Sequence, residues 1–374
     1  MWRKMAHAIL LAGTMATAQE PPVLEAAQAG LVIPKGVIVT PAQLGQRDPW
    51  WSKEFREPRA DFMRAQIAIR GAPAPPGTAV VVQNWGDDIK SYDISDRAGE
   101  TFWTGIIRGS TMFISVEGPT KPEGLETEVL SIMRQMDRPE VFSHWNGNQL
   151  QEMDAADLPD FVHKASNPVA WLNFTDGNWA RNCTGVLVSK DTILTNEHCI
   201  NDQEGCDSLV ATFGFQKDDT GKIGFGEEFT CAGFDPDKIS IPLDATLLTL
   251  RGSPGTKWGV ASLGQSETVA QGVALAIIQH PDGRAKEVSL TDCTLTASPI
   301  SGRGPQTDFA HTCDTEGGSS GAPVFDTTGA LVGLHHFGFN DTPDSVWTEN
   351  RAIRLAPLRA WIHDHLSDSV SDSD

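Results

Sequence analysis

Ser320 stands in a glycine-rich turn, Cys313-Asp314-Thr315-Glu316-Gly317-Gly318-Ser319-Ser320-Gly321-Ala322-Pro323. A serine hydroxyl attacks a carbonyl effectively only when a base takes its proton and N–H donors face the oxyanion that forms. The glycines flanking the serines open φ/ψ values that residues with a Cβ avoid. The N–H groups of Gly318 and Ser320 are therefore expected to converge on one oxyanion hole. A base is available upstream at His198, which follows the apolar run Thr192-Ile193-Leu194-Thr195 and precedes Cys199. Between them Asp244 opens the apolar run Ala245-Thr246-Leu247-Leu248 and is placed to orient an imidazole. Together they make an acyl-transfer site: Ser320 as nucleophile, His198 as general base and then acid, Asp244 as the orienting carboxylate.

Rivals exist for each role. Ser319 is adjacent to Ser320 but lacks a glycine on its C-terminal side. His280, His311, His335 and His336 are other bases, and Asp235 and Asp237 other acids, though these two flank Pro236 and open no apolar strand.

The order His, Asp, Ser, with these three local contexts, resembles the chymotrypsin-like serine peptidases over residues 167–366. Leu-Thr-Asn-Glu-His-Cys, ending at Cys199, is similar to that family's Leu-Thr-Ala-Ala-His-Cys, with Asn196 and Glu197 in place of two alanines. Glu197 is read as facing solvent. The resemblance implies an all-β catalytic domain of two six-stranded antiparallel barrels with the site between them, closed by a C-terminal helix at residues 356–366. It also implies a Cys183–Cys199 bridge. Many of these peptidases are switched on when a new N-terminus pairs with an Asp just before the nucleophile. Here that position is the uncharged Ser319, so the domain is expected to fold competently without that switch.

Two features bear on the substrate. The turn around Thr315, with Gly333-Leu334-His335, resembles bacterial glutamyl endopeptidases, in which a Thr and a His hold the substrate carboxylate. A hydroxyl and an imidazole both donate to a carboxylate. Asn350-Arg351-Ala352-Ile353-Arg354 looks like the same branch. The alternative gives Asp314 the place of the pocket-base Asp that pairs with Lys or Arg in trypsin-like members. A catalytically silent binding protein on the same fold is the other class to be weighed. Protein or peptide substrates are expected, with no metal or organic cofactor.

The rest of the chain must position these residues. It has 374 residues and a formal net charge of −20, an acidity that argues against nucleic-acid binding. No apolar run approaches the ~20 residues of a membrane span. Arg3 and Lys4, the apolar residues 6–12 and Ala16-Thr17-Ala18 read as a secretory signal cleaved after Ala18. A secreted or periplasmic protein is expected. The six cysteines all lie beyond residue 182, and an even count in one exported domain points to disulfides. Proximity in sequence suggests Cys206–Cys231 and Cys293–Cys313 for the other two pairs.

Residues 19–46 are rich in Ala, Pro and Val and read as a linker, with one edge strand near Gly36-Val37-Ile38-Val39-Thr40 as the alternative. Residues 47–150 show short β-branched runs about every 10 residues, separated by Gly/Pro turns, which predicts a β-sandwich. They look like the non-catalytic β-domains that precede some bacterial lysyl-endopeptidase-related peptidases. Their tryptophans, Trp50, Trp51, Trp85, Trp103 and Trp145, read as core and strand-end caps. Residues 151–166 read as an acidic connector with a short helix, and residues 367–374 as a disordered acidic tail.

Overall fold

The computed structural model describes residues 22, 24–136, 142–265, 270–339 and 347–366. The expected signal sequence and the acidic tail lie outside them.

Six strands, Val169–Asp176, Trp179–Leu187, Thr192–Thr195, Ala245–Leu250, Ile223–Gly233 and Val210–Lys217, close into an antiparallel barrel. Side chains alternate across a strand, and in Val169–Asp176 both faces find apolar partners. Ala170, Leu172 and Phe174 fill the barrel with Ile193, Phe213 and Leu248. Val169 joins the core shared with the second half of the domain. Trp171 points outward and meets Phe62 of the N-terminal domain, ring centroids 5.4 Å apart. The strand is therefore buried on both faces, and the outward polar residues Asn173 and Thr175 are bonded within the junction.

The second half is a curved eight-stranded sheet in the order Gln151–Glu152, Glu287–Ser289, Leu275–Gln279, Pro323–Asp326, Leu331–Phe337, Asn350–Arg354, Asp308–His311 and Leu295–Ile300. Its two ends do not close in a continuous ladder. The bridge between Ala274 and Thr294 extends the pairing of Leu275–Gln279 with Glu287–Ser289 towards Leu295–Ile300. Leu275 N–H donates to Cys293 O at 2.8 Å and Leu295 N–H to Val273 O at 3.1 Å. The helix Leu355–Leu366 buries Leu355, Leu358 and Ile362 against the core between the two halves. One closed six-stranded barrel and a half-barrel thus stand where two closed barrels were expected, in the chymotrypsin-like arrangement with its C-terminal helix. All three disulfides form as the sequence suggested, Cys183–Cys199, Cys206–Cys231 and Cys293–Cys313.

N-terminal to it, a sheet built on Phe62–Gly71 and Leu125–Gln135 faces a four-stranded sheet of Trp51–Arg56, Thr111–Glu117, Ala79–Gln83 and Ile89–Asp93. Ile67, Ile69, Val80, Val82, Ile114 and Val129 pack between them as a sandwich core. Trp50 donates from Nε1 to Gly118 O, whereas Trp85 is 77% exposed and rests edge-on against Phe113.

The stretch read as a linker needs correction. Ala27–Val39 is a 13-residue strand. It pairs with Leu125–Gln135 on one edge and Trp179–Leu187 on the other, so one twelve-stranded sheet runs from sandwich to barrel. The prolines suggested a break, but Pro34 sits where the register shifts between Pro34 and Val37, a position that tolerates a missing N–H. Arg64 fastens the same junction. Fully buried, it donates to Thr104 O, Asn173 Oδ1 and Ser208 O at 2.7–3.0 Å.

Lys286 is buried where the helix Asp160–Ser166 meets both barrels, and its Nζ donates to Ser166 O at 2.6 Å. Burial pushes the ammonium down to about 7 from its ordinary 10.5. The unfolded chain therefore holds a proton that the folded chain gives up between those values, so this residue's contribution to stability improves as pH rises from about 7 to 10.5. Lys286→Met is expected to stabilise the fold by roughly 2–4 kcal/mol at pH 6, the cost of holding the ammonium in the core less the lost hydrogen bond. The gain should vanish near pH 10.5. Chemical denaturation across that range measures it.

Candidate active site

The first barrel places the candidate base and its candidate acid by register. Thr192–Thr195 pairs antiparallel with Ala245–Leu250, Thr195 opposite Thr246. His198, three residues past one strand, and Asp244, two before Thr246, therefore emerge at the same end. The turn into Asp244 requires a left-handed φ of 46°, a region that aspartate tolerates better than most residues. Asn196 Nδ2 donates to Asp244 O at 2.9 Å and closes that turn.

Asp244 is fully buried, and its carboxylate is heavily engaged. Oδ1 accepts from His198 N–H at 3.0 Å, and Oδ2 pairs with His198 Nδ1 at 2.8 Å. A carboxylate against Nδ1 holds the proton there and leaves Nε2 as the basic nitrogen. Burial opposes ionisation of Asp244, but the His198 and His336 imidazoles outweigh it and hold the carboxyl well below the usual carboxylate range.

The nucleophile turn is pinned through its carbonyls. Thr184 N–H donates to Ser320 O at 2.8 Å, Thr184 Oγ1 to Gly318 O at 2.9 Å, and Asp282 N–H to Gly317 O at 2.5 Å. Gly318 has φ 91°, and a Cβ there would sit 2.8 Å from His280 O. At Gly321, with φ 81°, a Cβ would lie 2.1 Å from Thr184 O. Both positions therefore need glycine. Ser319 is buried with its Oγ accepting from Glu316 N–H at 3.0 Å. That bond braces the turn from within and removes Ser319 as a rival nucleophile. His198, Gly318 and Ser320 line one cavity of about 400 Å³.

The cavity's other wall carries Thr315, His335 and Ser143. Thr315 Oγ1 is buried and finds no hydrogen-bond partner among the described residues. His335 Nδ1 is 3.2 Å from His311 Nε2. Burial, then the neighbouring His311, His336 and His198, push His335 well below an ordinary histidine. Burial and His336 take His311 to about 3. Both rings are thus neutral. Ser143, opposite Thr315 in a short strand pair, escapes the sequence reading because it arrives from the segment linking the two domains.

Other expectations change. Asp314 is not among the residues lining the cavity. Its carboxylate accepts from Trp145 N–H and Gln149 N–H, each at 2.8 Å, and anchors that loop. Glu197 turns to Arg303 and not to solvent, and the same guanidinium lies 3.2 Å from Asp244 Oδ1. His336 also reaches Asp244, at 3.1 Å from Oδ2, while its Nε2 meets Asp308 Oδ2 at 2.9 Å. Both ring nitrogens are occupied by carboxylates, so His336 has none to offer Ser320. Burial disfavours its cation, yet Asp308 and Asp244 push it up to about 9. His280 donates from Nδ1 to Arg284 O and stacks on Phe215. Asp235 caps a turn through Asp237 N–H.

Residues 183–334 match the family model described as trypsin-like peptidase domain. Among curated proteins, exfoliative toxin A of Staphylococcus aureus is 30% identical over 164 residues, 41% of this chain and 55% of that protein. Secreted RxLR effector protein 73 of Plasmopara viticola is 29% identical over 193 residues, 47% and 46% respectively. The uncharacterized protein y4fB of Sinorhizobium fredii is 29% identical over 172 residues, 42% and 25%. The chain thus spans about half or less of the curated relatives it matches. Among solved structures, a Glu endopeptidase in complex with MPD is 17% identical with a TM-score of 0.44, covering 59% of this chain and 98% of that one. The HtrA-type protease AlgW with tripeptide is 19% identical with a TM-score of 0.42, covering 56% and 64%.

Proposed function

We propose that this chain, which carries a trypsin-like peptidase domain over residues 183–334, is a serine endopeptidase that cuts after acidic residues. The observation that carries the reading is the buried Asp244–His198 pair, with His198 and Ser320 on one cavity. His198 Nε2 takes the Ser320 proton as Oγ attacks the substrate carbonyl, and the N–H groups of Gly318 and Ser320 receive the oxyanion. Asp244 stabilises the imidazolium, which then protonates the leaving amine. Water, activated by the same nitrogen, hydrolyses the acyl-enzyme.

The acidic preference rests on Thr315 and His335. A buried hydroxyl without a partner and a neutral imidazole supply donors to a carboxylate entering between them. Asp314, committed to two backbone N–H groups, offers little to a Lys or Arg side chain. Three disulfides suit an oxidising compartment, and no helix among the described residues is long and apolar enough to cross a membrane. A secreted or periplasmic enzyme acting on protein or peptide substrates fits both.

The test is cleavage of a proteome-derived peptide library by purified protein, with Ser320→Ala as control. Cuts after Glu or Asp that the control lacks are expected. Thr315→Val should then lower kcat/KM for a Glu substrate by roughly 10- to 100-fold, the worth of one hydrogen bond to a buried charge. Cuts after Lys or Arg would overturn the acidic pocket and keep the triad. No cuts, and no labelling of Ser320 by a fluorophosphonate, would leave a peptidase fold used only for binding.

A further inference from the structure

The cavity that holds Ser320 and His198 is walled on one side by the protein's own N-terminal segment. Leu24, Glu25, Ala27 and Gln28 line it, and Leu24, Glu25 and Ala26 border the adjoining cavity beside His198 and Arg303. Backbone pairing fixes the segment's course. Ala27 pairs antiparallel with Asn182 and Gln28 with Arg181, and Arg181 Nη1 donates to Ala26 O at 2.8 Å. In an antiparallel pair, stepping back from Ala27 means stepping forward from Asn182. Two steps forward is Thr184, whose N–H is bonded to Ser320 O. Two steps back is Glu25. The register therefore carries the Glu25–Ala26 peptide towards the nucleophile, and Ala27 rests against the oxyanion turn, where a Cβ on Gly317 would be 3.2 Å from its own.

We infer that the protein is its own substrate and hydrolyses the Glu25–Ala26 bond. The inference rests on the reading of an active triad with a pocket for acidic side chains. The segment meets what such a site requires. It pairs antiparallel with the strand at the cleft edge, and an acidic residue immediately precedes the bond that this register carries towards Ser320. Glu25 is exposed at the cavity wall, so seating its carboxylate by Thr315 and His335 takes a rotation of that side chain inward.

The step needs only water. Ser320 Oγ bonds to the Glu25 carbonyl carbon, the C–N bond to Ala26 breaks, and His198 passes the serine proton to the Ala26 nitrogen. Water then splits the ester, leaving a carboxylate on Glu25, an amine on Ala26 and Ser320 restored. The remainder of the strand stays paired on both edges after the cut, so the new N-terminus remains at the rim of the cleft while the preceding peptide leaves.

Intact mass and N-terminal sequencing of the purified full chain test this, beside hydrolysis of a blocked synthetic peptide containing Glu. The wild type should begin at Ala26, Ser320→Ala should keep the bond, and Glu25→Gln should slow the cut at least about 10-fold. A wild type that hydrolyses the synthetic peptide but keeps its own Glu25–Ala26 bond overturns the inference and leaves the enzyme reading standing. A new N-terminus at Ala26 in the Ser320→Ala protein assigns the cut to another peptidase and equally overturns it. A wild type that cuts neither its own chain nor the peptide overturns the enzyme reading, and the inference with it.

Discussion

Ser320→Ala is expected to lower kcat/KM by about 10⁴- to 10⁶-fold, His198→Ala by a similar factor, and the double variant by little more than either. The non-additivity follows from the site's construction. The hydroxyl is useful only while His198 Nε2 takes its proton, and Nε2 is basic only because Asp244 holds the proton on Nδ1. Removing any member stops the same transfer. What should survive is the proposed oxyanion hole, because its donors are backbone groups of a turn held by Thr184 and Asp282 and not by the proposed triad. KM should therefore change far less than kcat. Asp244 stays ionised throughout any working pH, since its partners hold it well below the usual range. Steady-state kinetics with fluorophosphonate labelling measure the series. A Ser320→Ala protein within 10-fold of wild type would move the nucleophile elsewhere, and Ser319 is a poor successor with its Oγ bonded to Glu316 N–H.

Much of this was legible because each candidate triad residue carries its context locally, His198 and Asp244 beside apolar strands and Ser320 in a glycine-rich turn. What escaped depends on contacts that no local pattern encodes. Arg303 lies in a Gly-rich loop more than a hundred residues from Glu197, and only the assembled domain brings them together. The N-terminal prolines argued for a linker, yet a proline at a register shift costs a strand little.

Two other outcomes were within reach of the period-two rule. Thr315 and Asp314 are consecutive in an extended stretch, so one facing the cavity turns the other away. Thr315 lines the cavity and Asp314 anchors the loop behind it. His335 and His336 are consecutive too. His335 joins His311 beside Thr315, and His336 turns to Asp244 and Asp308.

That second histidine carries the other large effect. His336→Ser should destabilise the protein by about 3–5 kcal/mol, the cost of leaving the buried Asp308 without its cation. The double variant His336→Ser/Asp308→Asn removes both charges and should recover much of the loss. Its stability profile then tests the electrostatics. His336 is raised to about 9 from its ordinary 6.5, so the folded chain binds a proton that the unfolded chain has lost. Its contribution is full below about 6.5 and gone as pH rises through about 9, a change of about 3 kcal/mol. Lys286 works in the opposite sense over an overlapping window, and the two slopes offset each other in the wild type between pH 7 and 9. Each variant should unmask the other residue. Lys286→Met should lose stability from pH 6.5 to 9, and the double variant should gain it from pH 7 upward. A double variant with an unchanged pH–stability slope would reduce His336 to packing.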